Sequence, residues 1–207
     1  VVMNRQKFLK SLPALTGWRE NAFILSMAER ALPNARLFLE SNDETQIDLS
    51  TYPNGFLSVM DAAWKALILE PNEEDMIDLL DIVVDCFPDI EQEDSYGVLP
   101  TGDCMWLWEQ ALIGGINQDK KRAFEASQRS LETITQFLEF SEGEGLSENQ
   151  IIKLFDSHAL VKREFSFQEE LSERLRSAKN PSEVFINEIR AISQDEGVSN
   201  IGISLSE

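Results

Sequence analysis

The stretch WRENAFILSMAERALPNARLF, residues 18–38, reads as an amphipathic helix that carries charge inside its apolar face. Trp18, Ala22, Leu25, Glu29 and Leu32 recur at helical spacing and form one stripe, and Phe23, Met27 and Arg30 form the stripe beside it. A carboxylate and a guanidinium therefore point toward the core side. Burying an ion is costly unless it finds partners. Either Glu29 and Arg30 satisfy one another and nearby backbone, or they line a pocket. Thr16 offers an N-cap. Pro33 disfavours helical geometry at Leu32, which predicts a helix over 18–32 and a kink or break before 34–40. Asn34, just past that break, is placed to bond freed backbone groups.

Outward from this helix the apolar spacing stays helical, and no window alternates long enough for a sheet. Toward the N-terminus the pattern predicts a short helix over 4–12, ended by Pro13. Past the polar residues 41–50, a helix over 54–69 buries Phe56, Met60, Ala63, Trp64 and Leu67. Asn72 caps the next helix, whose first turn is Glu73, Glu74 and Asp75; acids suit the positive end of the helix dipole. Its expected core residues are Met76, Leu79, Leu80, Val83, Val84 and Phe87, with Pro88 as its stop. An acidic loop over 89–100 leads to a helix over 101–113, closed by Gly114 and Gly115. The longest helix spans 119–142, facing inward with Ala123, Ser127, Ser130, Ile134 and Phe137. Ser147 and Gln150 form a capping box for a short helix through Phe155. A helix over 156–178 carries Leu160, Phe167, Leu171 and Leu175. In Asn180-Pro181-Ser182-Glu183 the cap, the proline and the third-position acid start a last helix, which buries Phe185, Ile189 and Ile192 and ends at Gly197. The tail alternates Ile201, Ile203 and Leu205 and is expected to dock as an extended strip. The fold class is all-α: one domain, a bundle of eight to ten helices over residues 1–207.

The 207 residues are enough to bury roughly 70% of the unfolded chain's surface without a disulfide or metal staple. Cys86 and Cys104 lie in apolar helical patterns and read as two reduced core thiols of a cytosolic protein. The N-terminal residues hold no apolar run of signal-peptide length, and no stretch reaches the ~20 apolar residues of a membrane span. A cytoplasmic protein is expected. The net charge is −19, and it is uneven. Residues 1–36 hold six basic residues and two acidic ones, whereas residues 66–119 hold fourteen acids and no Lys or Arg. That field disfavours direct nucleic-acid binding and anionic membranes, and favours a basic protein partner.

Asp75, Asp78, Asp81 and Asp85 follow helical spacing and make an acidic face without an interleaved lysine. A solvated face and a docking face both fit; a two-metal site would need a second acidic helix of matching spacing, and none is apparent. Asp103, read in the first turn of its helix, is a helix cap, and joins a buried network if it also reaches Arg30. Asp61 is a weaker case of the same kind. His158, the one histidine, reads as a surface or packing residue. Trp106 and Trp108 flank Leu107, so both rings cannot share the centre of one helix face. No nucleophile motif, metal set or phosphate loop is present, so no catalytic residue, metal or cofactor is assigned.

The residue 18–38 helix with Glu29-Arg30 and Pro33-Asn34, the YGVLPTGDC at 96–104, the stretch 127–135 and the SNIGI at 199–203 occur together and in order. On these anchors the chain, over about residues 12–203, resembles the YjaG-like bacterial family of unknown function. The resemblance implies a small all-helical bacterial protein and brings no catalytic residues to carry over. The dense acid run over 70–94 departs from it. With Tyr96 and Asn200 from the anchors, Glu29, Arg30, Asn34 and Asp103 make up the candidate polar cluster, either a ligand site or a structural network. Two functions follow. The first is a non-enzymatic binding or regulatory protein whose acidic face engages a basic partner. The second is a small-molecule or metal-dependent enzyme with a polar pocket at Glu29-Arg30 and Asp103. Self-association as a homodimer is compatible with both.

Overall fold

Nine α-helices, and no strand longer than a single bridge, make up the described residues of the computed structural model, which are 5–41, 55–70, 72–85, 96–116 and 121–205. In chain order they are α1 (Arg5–Ser11), α2 (Trp18–Ser41), α3 (Phe56–Leu69), α4 (Glu73–Asp85), α5 (Val98–Ile113), α6 (Arg122–Glu142), α7 (Glu148–Ser157), α8 (Ala159–Ser177) and α9 (Glu183–Gln194). The all-helical, single-domain bundle expected from the spacing is the observed architecture. Helix α2 is its centre: it packs most extensively on α5 and also touches α3, α6, α8 and α9.

Of the kink or break expected at Pro33, the break does not occur. α2 runs unbroken to Ser41 with Pro33 inside it. An interior proline costs about 3 kcal/mol through its missing N–H and its clash with the carbonyl four residues back. Burial on both sides offsets that cost, since Ala31, Pro33, Ala35 and Leu39 all lie in the core. The loosened ladder is put to use one residue along, where the Arg30 carbonyl accepts the backbone N–H of Asn200 at 3.1 Å.

Other starts and stops also shift. α5 begins at Val98 rather than Thr101, because Pro100 falls in a first turn whose N–H groups have no intrahelical acceptor anyway. α9 is capped by the Ser182 hydroxyl, which accepts from Phe185 N–H at 3.3 Å, so the helix starts two residues later than Pro181 suggested. His158 divides α7 from α8, and its Nδ1 accepts from Leu160 N–H. The capping box at Ser147 and Gln150 and the Asn72 cap form as expected. α4 packs chiefly on α5 and then on α3. Among the described residues of its expected core only Met76 and Val83 are buried, while Leu79 and Leu80 are half-buried and Val84 is exposed. Phe87, Cys86 and the acidic loop up to Ser95 lie outside the described residues, as do residues 42–50 and the expected start of α6.

The tail docks on the bundle, but its SNIGI closes a tight turn instead of running extended. Ser199 N–H donates to the Ile203 carbonyl at 2.8 Å, Ile203 N–H donates to Ser199 Oγ at 3.0 Å, and Val198 bridges Ser204. Gly202 supports the turn at φ +83°, a conformation L side chains rarely adopt. Ile201 joins Ile134, Leu138 and Val161 in a second small core beside the main one. No helix among the described residues is long and apolar enough to cross a membrane.

Candidate functional site

Glu29 and Arg30 are both buried, as the stripe predicts, but they do not pair with each other. Adjacent residues on a helix point about 100° apart, so each needs its own partner. The Glu29 carboxylate accepts from Trp64 Nε1 on α3 and from Gln194 Nε2 on α9, both at 2.9 Å, with Arg190 at 3.6 Å. It borders a groove of about 850 Å³ that also reaches Pro33, Arg36 and Glu40. Arg30 turns the other way. Its Nε and Nη2 lie 2.8 and 2.7 Å from one oxygen of Glu164 on α8, and the guanidinium stacks 4.0 Å from the Phe167 ring centroid.

Glu164 was not legible as a partner, because the expected inner face of α8 ran through Leu160 and Phe167. The buried stripe is Val161, Glu164, Gln168, Leu171 and Leu175. A carboxylate and an amide at helical spacing from three aliphatic residues were the available signal. The other Glu164 oxygen accepts from Ser130 Oγ at 2.9 Å and from Gln168 Nε2 at 3.2 Å, and Ser127 Oγ donates to Gln168 Oε1 at 2.5 Å. Small serines on α6 thus make room for a polar layer between α2 and α8.

Asp195 closes this layer at the end of α9, 3.5 Å from Arg30 Nη1 and bonded to Arg163. Burial alone would raise its carboxyl pKa, but Arg163 and then Arg30 hold it below the usual carboxylate range. Asp195 and Glu196 adopt left-handed φ values of 46° and 55°, so these ion pairs hold a strained turn in place.

From Ser130 the network continues, still buried, to the tail turn. Asn200, at the tip of the tail turn, donates Nδ2 to the Ser130 carbonyl at 3.2 Å and to Ser130 Oγ at 3.3 Å. Its Oδ1 accepts from Asn34 Nδ2 at 2.9 Å. Arg30, Asn34 and Asn200 are therefore brought together, through Glu164 and Ser130. Asp103 is not part of that chain. It lies in the second turn of α5, caps nothing, and accepts from Thr133 Oγ1 at 2.7 Å and Arg129 Nη1 at 3.1 Å on α6. Burial raises its pKa, and Thr133 and Arg129 pull it partly back. Arg129 covers the half-buried Trp106, whereas Trp108 is fully buried against Phe56.

Tyr96 stands beside this group. Its hydroxyl pKa is pushed up to about 12, first by burial and then by the Asp103 charge. The ring stacks on Phe140 at 4.4 Å. Gly97 follows because a Cβ there would lie 2.3 Å from Phe38 Cδ2. That close approach sets Phe38 and Tyr96 on the wall of a cavity of about 540 Å³ between α2, α5, α6 and the tail turn. Asn34 lines the same cavity.

All four carboxylates of the acidic face on α4 are exposed, and none has an ion-pair partner among the described residues. Asp75 and Asp78 edge an apolar cleft of about 400 Å³ against Ala62, Ala66 and Leu69 of α3. Asp61 is exposed too, bonded to Arg190 at 2.5 Å. No three His, Cys, Asp or Glu side chains converge as a metal set among the described residues.

Comparison with known proteins covers almost the whole chain. An uncharacterized protein of Haemophilus influenzae is 29% identical across 98% of this chain and all of its own length. The uncharacterized protein YjaG of Escherichia coli is 24% identical, with 93% of each chain covered, and YjaG of Salmonella typhimurium is 23% identical, with 95% of each covered. The crystal structure of a DUF416 family protein from Shewanella baltica superposes with a TM-score of 0.78 over 96% of this chain and 98% of that one, at 24% identity. The fold is therefore shared. The profile of a family described as protein of unknown function (DUF416) matches residues 7–204, and the chain belongs to that family.

Proposed function

We propose that this is a non-enzymatic binding protein whose acidic face on α4 engages a basic, amphipathic segment of a partner protein in the cytoplasm. The observation that carries the reading is the half-docked state of α4. The helix buries only Met76 and Val83; Asp75 and Asp78 edge an apolar cleft that Lys65 also lines, and Asp81 and Asp85 stand exposed on the same helix, with no ion pair for any of the four among the described residues. Like charges at helical spacing destabilise a helix by a few tenths of a kcal/mol per pair, which a cationic partner would reverse. The exposed Leu69, Ile77 and Val84 supply apolar contact beside the charge. A second copy of the chain fits this face poorly, since it would set carboxylates against carboxylates. The buried free thiol of Cys104 suits a reducing compartment.

The enzyme reading finds less support, because Glu29, Arg30 and Asp103 each spend their charge on fixed internal partners. A lysine- and leucine-rich amphipathic peptide labelled for fluorescence anisotropy tests the proposal. It should bind at low ionic strength, release at about 0.5 M salt, and bind weakly to the variant with all four aspartates changed to asparagine. Equal binding by that variant would reject the face as the docking surface, and light scattering on the same samples reads self-association.

A further inference from the structure

A cavity of about 550 Å³ is lined by the C-terminal ends of α3 and α5 and by Asn180 and Pro181, which follow α8. Two of these three helix ends are answered by arginines. Arg19 donates to the Leu175 and Ala178 carbonyls at the end of α8, at 3.0 and 2.6 Å. Arg122 donates to the Gln110 carbonyl at the end of α5. The end of α3 has the opposite arrangement. Its last turn holds no basic residue, and its C-cap is Glu70, at a left-handed φ of 47°. A carboxylate at the negative end of a helix dipole has the wrong sign, and a left-handed backbone is costly for a residue with a Cβ. Glu70 is exposed, so a cation from solution can reach it, and it has no ion pair among the described residues. It is also the one charged side chain among the residues that line the cavity. Two positive helix ends lie near in space or sequence, and each already has acids of its own. α2 carries Glu20 in its first turn, held by Arg122 at 3.3 Å, and α4 carries Glu73, Glu74 and Asp75. The rest of the wall is largely apolar, with Trp18, Leu25, Leu67 and Met76.

We propose that this cavity binds a small primary amine with an apolar body, whose ammonium pairs with the Glu70 carboxylate at the end of α3 and whose body packs against Trp18, Leu25, Leu67 and Met76. The amine supplies the cation that Arg19 and Arg122 supply at the other two helix ends. An anionic head is disfavoured, because it would meet the Glu70 charge and the negative ends of α3 and α5 together. The site is separate from the acidic face of α4: it shares only Ala66 with the cleft there, and none of the four aspartates lines it.

The test uses the full chain near pH 7 in 0.15 M salt, where exposed charges more than about 8 Å apart are screened. Three probes of one shape and different charge, tryptamine, N-acetyltryptamine and indole-3-propionate, are titrated and followed by backbone-amide NMR. Tryptamine should shift resonances around Trp18, Ala66, Glu70 and Gly115 and bind about tenfold tighter than the other two, the combined effect of one ion pair and the helix ends. Glu70→Gln should weaken tryptamine about fivefold and leave N-acetyltryptamine unchanged. Glu70→Lys places a cation on the chain itself, so it should abolish the preference for tryptamine while its melting temperature matches or exceeds the parent's. The variant with all four α4 aspartates changed to asparagine should bind tryptamine like the parent. Equal binding of the three probes, no shift at the cavity, undiminished binding to Glu70→Gln, or a loss in the four-aspartate variant would each overturn the proposal.

Discussion

Arg30 has 1% of its side chain exposed and Glu164 has none, so each holds the other's charge where water cannot. Removing one partner strands the other. Arg30→Met should cost about 3–5 kcal/mol in urea unfolding, the usual penalty for an uncompensated buried charge. Adding Glu164→Leu should recover much of that loss, since a packed apolar pair often matches a buried ion pair; a double variant no better than the single would reject this account. Tyr96 makes a separate prediction from its raised pKa. The folded hydroxyl keeps its proton to about 12, whereas the unfolded one loses it near 10. Between those values the unfolded chain holds fewer protons, so stability falls as pH rises through the window. Tyr96→Phe should lack that part of the alkaline loss, read as a flatter melting-temperature profile above pH 10.

The helices differ in how far packing holds them. α2 buries residues on nearly every side and bends its rules to do so, keeping Pro33 inside a continuous helix. α4 buries two side chains and stacks three acids in its first turn. Those acids suit the helix dipole, but the further Asp78, Asp81 and Asp85 repel along its length. Local opening follows sparse burial. Hydrogen-exchange mass spectrometry should therefore find α4 the least protected of the longer helices and the Phe23–Ala31 part of α2 the most. Equal protection in the two would mean that α4 gains support not visible in its contacts.

Across the molecule, a net charge of −19 on 207 residues works against the compact state. Salt that screens beyond about 10 Å should raise the melting temperature, most steeply up to roughly 0.1 M, where the Debye length reaches that distance. A melting temperature that falls with added salt would show that the ion pairs outweigh the repulsion. The pairs of the polar layer are buried and little screened, so the balance favours a rise. The same field makes a cationic partner the natural occupant of the exposed acidic face.

Helical spacing told the fold, because a helix is local: Trp18, Ala22 and Leu25 share a face whatever the rest of the chain does. It also told that Glu29 and Arg30 point inward, that Asn72 and Ser147 start helices, and that α2 lies against the core. The sequence by itself determined which atoms would need partners. Only the tertiary structure decided who those partners are. Glu164 lies 134 residues from Arg30, and Asn200 lies 166 residues from Asn34. Such pairings depend on how α2, α6, α8 and the tail cross, which no local period encodes. The unpaired oxygen of Asn34 has the same origin: Glu164, acting through Ser130 and Asn200, turns the Asn34 amide so that its Nδ2 is used and its Oδ1 is not.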